Sequence, residues 1–274
     1  MLNREERSLV YEQAYLPEHL PSYVQAVSGA EAHLHGEYLC FSGGNHLIFV
    51  GYPLGIEAGD TPRAYESACE RFRPATVAVI APELWLPAHT YEGQPGDIYY
   101  RLDLPLGPLD PEVAYMVRRA DRELQVTERR FGREHQRLVK DFLSRHQLSR
   151  EQRIIFERIP HYLKSSKTVR LLEARRGSTL VAFTVADLGS ASYAFYLFNV
   201  RTIKENVPGA SDLLFYEMVN LAQSEGKVAI NLGLGIHTGI RRFKEKWGGI
   251  PFLPCVSALV QRQQVELGSL AKKL

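Results

Sequence analysis

The residues with the clearest chemical potential lie in NLGLGIHTGIRRFKEKWGG, residues 231–249. Three glycines follow an apolar run and precede a basic stretch of helical character, an arrangement that resembles a phosphate-binding loop. Arg241 and Lys244 are three residues apart, so a helix would place both cations on one face. That face could hold a phosphate or a carboxylate, or it could simply be solvated.

Familiar nucleotide and metal motifs do not fit this stretch. Its spacing is G-x-G-x-x-x-G instead of the dinucleotide-binding G-x-G-x-x-G, and no G-K-[ST] follows. The nine histidines form no H-x-x-x-H or H-E-x-x-H pair, so we expect no metal site. A G-x-S-x-G elbow of a serine hydrolase is also missing.

A second candidate site is PGAS, residues 208–211, which opens a long helix. Gly209 and Ala210 are small enough for an anion to approach the amides at the helix N-terminus. Alternatively, Pro208 and Gly209 only turn the chain and Ser211 caps the helix. An acidic residue in the first turn, Asp212, favours this alternative, because its carboxylate would oppose a phosphate.

Composition is that of an ordinary globular protein. The 274 residues carry a net charge of +2, with 45% hydrophobic and 23% charged residues, so bulk charge does not indicate DNA binding. Three cysteines without a C-x-x-C pattern predict neither a disulfide framework nor structural zinc. No signal peptide or membrane span is recognisable, so the cytoplasm is the default expectation.

The second half of the chain has the clearer element order. Strands are expected at 168–174, 179–187 and 192–200, joined by turns too short for anything but antiparallel pairing. A long helix, a strand at 228–233, a short helix at 240–247 and a last strand at 254–262 follow, and a polar tail is expected after them. Phe243 and Trp247 share a face of the short helix, where we expect them in the core.

The first half repeats a looser version of this order. Apolar runs on both sides of Gly43-Gly44-Asn45 predict a hairpin. A helix at 64–73 and strands at 76–84 and 97–104 come next, and Asp110-Pro111 begins another helix. Charged helices are expected to continue to about residue 164, and one of them begins with the capping box Ser149-x-x-Gln152.

Three strands, a loop, a helix, a strand, a short helix and a last strand is the order of a GNAT-type N-acyltransferase domain. PGASDLLFYEMVNLAQSEG and the following INLGLG…IRRFKEKWGG are similar to the second domain of Fem-type aminoacyl transferases and to the phosphatidylglycerol lysyltransferase catalytic domain. In those families G-A-[ST]-x-L-L opens the long helix and F-K-x-x-[FW]-G ends the short one. YRLDLPL with VRRADREL also resembles the Fem pattern between its two halves.

This resemblance implies an α+β protein of two tandem GNAT-like domains, each a mixed, mostly antiparallel sheet flanked by helices. We place the degenerate N-terminal domain at 1–125 and the catalytic one at 126–274. The resemblance further implies that an acyl or aminoacyl group passes by direct attack to an amine or hydroxyl. Small-molecule, peptide and lipid-headgroup acceptors all remain open.

Within that implied site, Lys244 matches the lysine of F-K-x-x-[FW]-G, and Arg241 and residues 208–211 would contact the donor. Asn199 and Tyr196 would lie near the acyl carbonyl, and His237 would take a proton from the attacking amine. Each has an ordinary alternative: Asn199 needs a partner if it is buried, Tyr196 suits core packing, and His237 suits an exposed loop.

The donor is open between acyl-CoA and aminoacyl-tRNA, and tRNA would be a partner only in the second case. The helical arm that Fem proteins use for tRNA is not visible here. The Q/R-x-x-G-x-G/A motif of acetyl-CoA enzymes is replaced by NVPGAS, residues 206–211. A non-catalytic ligand-binding module that retains the fold is the main rival hypothesis, and a tRNA- or lipid-associated scaffold is the third.

Overall fold

The computed structural model describes residues 1–55, 59–93 and 95–262 of the chain. Its first half contains four helices, two 3₁₀ turns at Pro17–His19 and Ala88–Thr90, and six strands. The helices are α1 (Arg4–Gln13), α2 (Pro21–Ser28), α3 (Thr61–Phe72) and α4 (Pro111–Asp121). The strands are β1 (Glu31–His35), β2 (Tyr38–Gly43), β3 (His46–Val50), β4 (Thr76–Ala81), β5 (Tyr91–Gly93) and β6 (Asp97–Asp103).

The second half begins with β7 (Gln125–Glu128) and three helices, α5 (Arg133–Arg145), α6 (Arg150–Glu157) and α7 (Ile159–Ser165). Three long strands follow, β8 (Val169–Arg176), β9 (Thr179–Asp187) and β10 (Tyr193–Arg201). The remaining elements are α8 (Ala210–Ser224), β11 (Ala229–Leu234), α9 (Thr238–Lys246) and β12 (Ile250–Gln261).

The described strands form one sheet in the order β1-β2-β3-β4-β12-β6-β11-β10-β9-β8-β7, with β5 also paired to β12. The pairs β3/β4 and β10/β11 are parallel, and the other pairs are antiparallel. The long strand β12 joins the two halves, because Val256–Gln261 pairs with β4 while Ile250–Cys255 pairs with β6.

The central strands of the second half are apolar on both faces because helices cover both faces. Ala194 of β10 packs in the core cluster of α4 and α8, whereas its neighbour Phe195 packs in the cluster that contains Val10 and Leu16. Consecutive strand residues point to opposite faces. The segment from α1 to α2 therefore lies on the other side of the sheet from α8.

Local signals in the sequence place most elements correctly. The hairpin at Gly43-Gly44-Asn45, the helix capped by Asp110 and the capping box of Ser149 with Gln152 are all present. Trp247 is in the core as expected. The mixed α+β fold class is confirmed.

Several elements differ from the sequence expectations, among them the strands β1 and β5, which were not expected. The charged region expected to be helical contains the short edge strand β7. The last strand begins at Ile250, four residues before the expected 254, because Ile250–Cys255 finds a partner in β6. The polar tail expected after it, residues 263–274, lies outside the described part of the chain.

The proposed boundary between residues 125 and 126 stays a prediction. Strand pairing crosses it repeatedly: β6 lies between β11 and β12, and β4 and β5 also pair with β12.

Candidate functional site

The candidate site is an opening between β10 and β11. These strands pair with each other over a short stretch only, in which Tyr193–Phe195 of β10 lie opposite Ala229–Asn231 of β11. Beyond that point β10 continues with β9 and β11 continues with β6. Both strands have an irregularity immediately after the pairing ends. Beyond Phe195 and Asn231 the facing edges of the two strands are therefore not paired with each other.

Asn231 fixes the closed end of this opening. Its side chain is fully buried. The amide Nδ2 donates to the carbonyl of Tyr15 at 2.9 Å, and Oδ1 accepts from the backbone N–H of Gly233 at 2.8 Å. Gly233 has a φ of +73°, a conformation that favours glycine. Asn231 thus stabilises the irregularity in β11 and also attaches the segment after α1 to this strand.

Lys244 of α9 lies at the end of β11 and is only 4% exposed. Its Nζ donates to the carbonyls of Gly233 and Leu234 at 2.8 and 2.5 Å. Burial lowers the pKa of Lys244 to about 7, and the Asp97 carboxylate opposes that shift. The amine therefore gives up its proton far more readily than an exposed lysine, and it is not part of a solvated face.

Arg241 lies near the same strand end but remains half-exposed. Its guanidinium is 3.9 Å from Asp97 Oδ1, so the pair is loose. The Asp97 carboxylate accepts the backbone N–H of Ile98 and of Ile236, each at 2.7 Å. Asp97 thus orders the loop after β11, while Arg241 keeps donors free for a ligand.

His237 caps α9. Its Nδ1 accepts from the backbone N–H groups of Gly239 and Ile240 at 3.2 and 3.4 Å. The ring is exposed. Only Nε2 is therefore left for any proton transfer, and the proposed role of His237 in catalysis stays a prediction.

A chain of hydrogen bonds connects β10 to the start of α8. Asn199 Nδ2 donates to the Tyr196 hydroxyl at 2.7 Å, and the Ser211 hydroxyl donates to Asn199 Oδ1 at 3.0 Å. Burial raises the pKa of Tyr196, so the phenol stays protonated at neutral pH. Asn199 therefore has the partner that a partly buried amide requires.

Aromatic packing brings α9 against this chain. The ring of Phe243 stacks on that of Tyr196 with centroids 6.2 Å apart, and both rings contact Phe215 of α8. The start of α8, the end of β10 and helix α9 are consequently held together by one apolar contact set.

The start of α8 is shaped by close packing on α4. Gly209 has a φ of +85°, and a Cβ built there would lie 2.3 Å from the carbonyl oxygen of Met116. The buried Asp212 carboxylate accepts from Trp247 Nε1 at 3.0 Å and Lys246 Nζ at 2.6 Å. Because its charge is already compensated, Asp212 opposes an anion at this helix start less than the sequence suggested.

Pro208 and Ala210 complete the predicted helix start. Pro208 lies in the turn before α8, and the buried Ala210 donates its backbone N–H to Val207 at 3.2 Å. The structure thus brings Tyr196, Asn199 and Ser211 together, with Lys244 and Arg241 on the far side of the opening.

Sequence reasoning did not single out Asn231 or Asp97. Asn231 interrupts the apolar run AINLGL, which is the same signal that marked Asn199. For Asp97 no comparable signal exists, because its partners in the site, Ile236 and Arg241, lie more than 130 residues away.

Two other pockets lie away from the opening. One, of about 610 Å³, is lined by Arg129, Arg130, Arg133 and Arg175 around the buried pair of His135 and Glu173. It adjoins β8, which is separated from β11 by β9 and β10. The other, of about 480 Å³, lies between α5 and α6.

Within the described ranges, no group of three or more His, Cys, Asp or Glu side chains is arranged to hold a metal ion. Among the helices described here, none has the length and apolar character needed to cross a bilayer.

No known family profile matches the chain, and no curated protein is significantly similar to it in sequence. Solved structures do match. The C-terminal domain of a putative lysylphosphatidylglycerol synthetase from Agrobacterium fabrum is 15% identical, with a TM-score of 0.61 over 98% of this chain and 95% of that one. FemX is 13% identical, with a TM-score of 0.61 over 96% and 94% of the two chains.

A tandem GNAT protein from the clavulanic acid biosynthesis pathway also matches, with 13% identity and a TM-score of 0.50 over 82% of this chain and 78% of that one. The chain has the GNAT fold. The resemblance drawn from PGASDLLFYEMVNLAQSEG and IRRFKEKWGG is thereby confirmed. In this chain the start of α8 lies beside β10, because Ser211 donates to Asn199.

Proposed function

We propose that this protein is an acyl or aminoacyl transferase whose reaction takes place in the opening between β10 and β11. The observation that carries the proposal is the meeting of three features there: unpaired strand edges, the start of a fifteen-residue helix and a cation-bearing helix. The similarity to FemX and to lysylphosphatidylglycerol synthetase structures supports the same class of reaction.

In this proposal the donor's carbonyl lies beside the strand edge of β10. Backbone N–H groups there would stabilise the oxyanion that forms when an amine or hydroxyl attacks a thioester or ester. The first-turn amides of α8 would receive a donor phosphate, with the helix dipole behind them. The reaction then proceeds by positioning, without a covalent enzyme intermediate.

The side chains around the opening would have different roles in this reaction. Asn199 and Ser211 orient the strand edge and the helix start, while Tyr196 supplies a protonated phenol near the carbonyl. Arg241 binds anionic groups of the donor. Lys244 holds the end of β11 open by occupying two carbonyls that would otherwise seek a strand partner.

Acyl-CoA and aminoacyl-tRNA both remain candidate donors. The acceptor would be a small molecule, a peptide or a lipid headgroup, and the cytoplasm would be the compartment. Affinity for an RNA donor would fall steeply with salt, because phosphate contacts release counterions. A flat salt response would exclude the RNA donor.

A non-catalytic binding module is the second candidate, and one observation favours it. Asn199, His237 and Lys244 all have hydrogen-bond partners within the protein, so each is explained without a substrate. This alternative predicts that Lys244→Ala and Asn199→Ala leave ligand affinity unchanged.

A thermal-shift screen followed by a transfer assay separates these functions. The donors are acetyl-CoA, coenzyme A and an alanyl-RNA minihelix with a non-hydrolysable counterpart; the acceptors are lysine, a lysine-containing pentapeptide and phosphatidylglycerol vesicles. A donor at one hundred times its Kd adds about 2.7 kcal/mol of stability, which raises the Tm by roughly 5–10 °C.

The variant Asn199→Ala should weaken the shift, whereas Asn220→Ala, further along α8, should not. If neither donor class raises the Tm, the proposed function is wrong. If a donor raises the Tm but no acceptor is modified, the binding module is the better description.

A further inference from the structure

The segment between α1 and α2 borders the opening from the side opposite α8. The carbonyl of Tyr15 accepts from Asn231 Nδ2 exactly where the pairing of β10 and β11 ends. The hydroxyl of Ser190, just before β10, donates to the carbonyl of Ala14 at 2.6 Å. Both contacts fix the backbone of this segment against the closed end of the opening.

Glu18 lies three residues after Tyr15, in the 3₁₀ turn Pro17–His19. The residue is partly exposed, but its Oε2 is enclosed and has no hydrogen-bond partner among the described residues. Nor does Glu18 form an ion pair within the described part of the chain. Burying an unpaired carboxylate costs stability, and such groups concentrate at functional sites.

The surroundings of Glu18 are aromatic and neutral. The groups that face it are the phenols of Tyr23, Tyr52 and Tyr99 and the thiol of Cys255. Tyr99 of β6 is in register with Leu234, the last residue of β11, so the carboxyl lies beside the end of that strand.

The nearest cation on β6 does not neutralise this carboxyl. Arg101 lies on the same face of β6 as Tyr99, but its guanidinium binds Asp103 at 2.8 Å and covers the ring of Phe252. Burial raises the pKa of the Glu18 carboxyl. A raised pKa suits a base that works near neutral pH.

We propose that Glu18 is the acceptor-side base of the opening, which binds the attacking amine or hydroxyl and takes its proton. The inference rests on the proposed transferase function. The acceptor's nitrogen or oxygen forms the new bond to the acyl carbon, and its proton passes to Oε2 of Glu18. The C–S or C–O bond to the donor breaks, the leaving thiolate or alkoxide takes a proton from solvent, and Glu18 releases its proton to solvent before the next cycle.

Glu18 lies on the face of the sheet opposite α8, so the acceptor that it binds would not compete with the donor for space. The donor would enter beside the start of α8 and Arg241, and the acceptor would approach from the side of α1 and α2. The two substrates would then meet at the strand edge from opposite faces of the sheet, which brings the reacting atoms close together for direct attack.

The test compares Glu18→Gln with Glu12→Gln, which alters an exposed carboxylate on α1. The assay uses the donor and acceptor from the screen above that the wild-type protein converts fastest. We expect Glu18→Gln to lower kcat/KM by about 10²–10⁴-fold and to abolish the acidic limb of its pH profile. Donor-induced thermal shifts should stay unchanged, and Glu12→Gln should match the wild type.

Stability separates this role from a structural one. Glutamine removes a buried charge, so Glu18→Gln should unfold at the wild-type Tm or above it. Glu18→Asp retains the carboxyl one methylene further back, and it should recover part of the activity together with the pH limb.

Two results would overturn the inference while leaving the transferase function intact. One is a Glu18→Gln rate within threefold of wild type with an unchanged pH profile. The other is a lowered Tm together with a lost donor shift in Glu18→Gln. A wild-type protein that transfers nothing removes the proposed function, and the role of Glu18 with it.

Discussion

Replacing Lys244 by methionine tests the central electrostatic feature of the opening. The amine is 4% exposed, and burial lowers its pKa from 10.5 to about 7. Between these two values the unfolded chain binds the proton more tightly than the folded chain. The free energy of unfolding of the wild-type protein should therefore rise with pH through this window.

The expected size follows from the two pKa values. A single proton changes the free energy of unfolding by at most about 1.4 kcal/mol per pH unit. Integrating from pH 7.5 to 9.5 with pKa values of 10.5 and about 7 gives a rise of about 2.5 kcal/mol. Lys244→Met should lack this contribution, because methionine does not titrate.

Urea unfolding at pH 7.5, 8.5 and 9.5 measures the effect. The difference between wild type and Lys244→Met should change by about 2.5 kcal/mol across this range, and other titrating groups cancel in the difference. Lys204→Met is the matched control, since Lys204 is exposed, and it should stay parallel to the wild type. If the free energy of unfolding of Lys244→Met also changes with pH in parallel with that of the wild type, the lowered pKa of a buried Lys244 amine is refuted.

Three further substitutions test the packing of the site by urea unfolding. Gly209→Ala should cost about 2–5 kcal/mol, because its Cβ would meet the backbone of α4, whereas Gly226→Ala, also at positive φ but in open space, should cost about 1 kcal/mol. Equal costs would contradict the close approach. Asn231→Ala should lose about 2–4 kcal/mol, since two buried hydrogen bonds disappear, and a loss under 1 kcal/mol would remove Asn231 as the anchor of the opening. Burial lowers the pKa of His19 to about 4, so wild-type stability should fall by about 3 kcal/mol as the pH drops from 6.5 to 4. His19→Gln can still donate to Tyr52 and should reduce this acid sensitivity; an unchanged pH dependence would argue against a buried neutral imidazole.

Features that depend on neighbouring residues were predictable from the sequence. The turn at Gly44 and Asn45, the cap at Asp110 and the capping box of Ser149 each depend on residues a few positions apart. The hydrophobic pattern and the short turns were sufficient to predict that β8, β9 and β10 are antiparallel neighbours.

Pairing between distant strands was not predictable in the same way. Nothing in DIYYRLD indicates that β6 lies between β11 and β12, because the partner residues are more than 120 positions away. The early start of β12 has the same origin, since IPFLP contains two prolines and becomes a strand only beside β6.

The candidate site was partly predictable. Asn199 was marked by its polarity within an apolar strand, and the segments around Ser211 and Lys244 by their resemblance to transferase motifs. Their partners were not predictable, above all the two carbonyls bound by Lys244. Glu18 gave no signal, because a glutamate in a helical region usually faces solvent.

The shared strand β12 has a consequence for biosynthesis. β12 is the last described strand to leave the ribosome, yet β4 and β6 both need it as a partner. Until it emerges, β4 presents an open edge, and β6 lacks both neighbours until β11 and β12 follow. A nascent chain with such edges is prone to wrong pairing. We therefore expect the first half to depend on chaperones during translation and to acquire protease resistance only once residues beyond 250 are available.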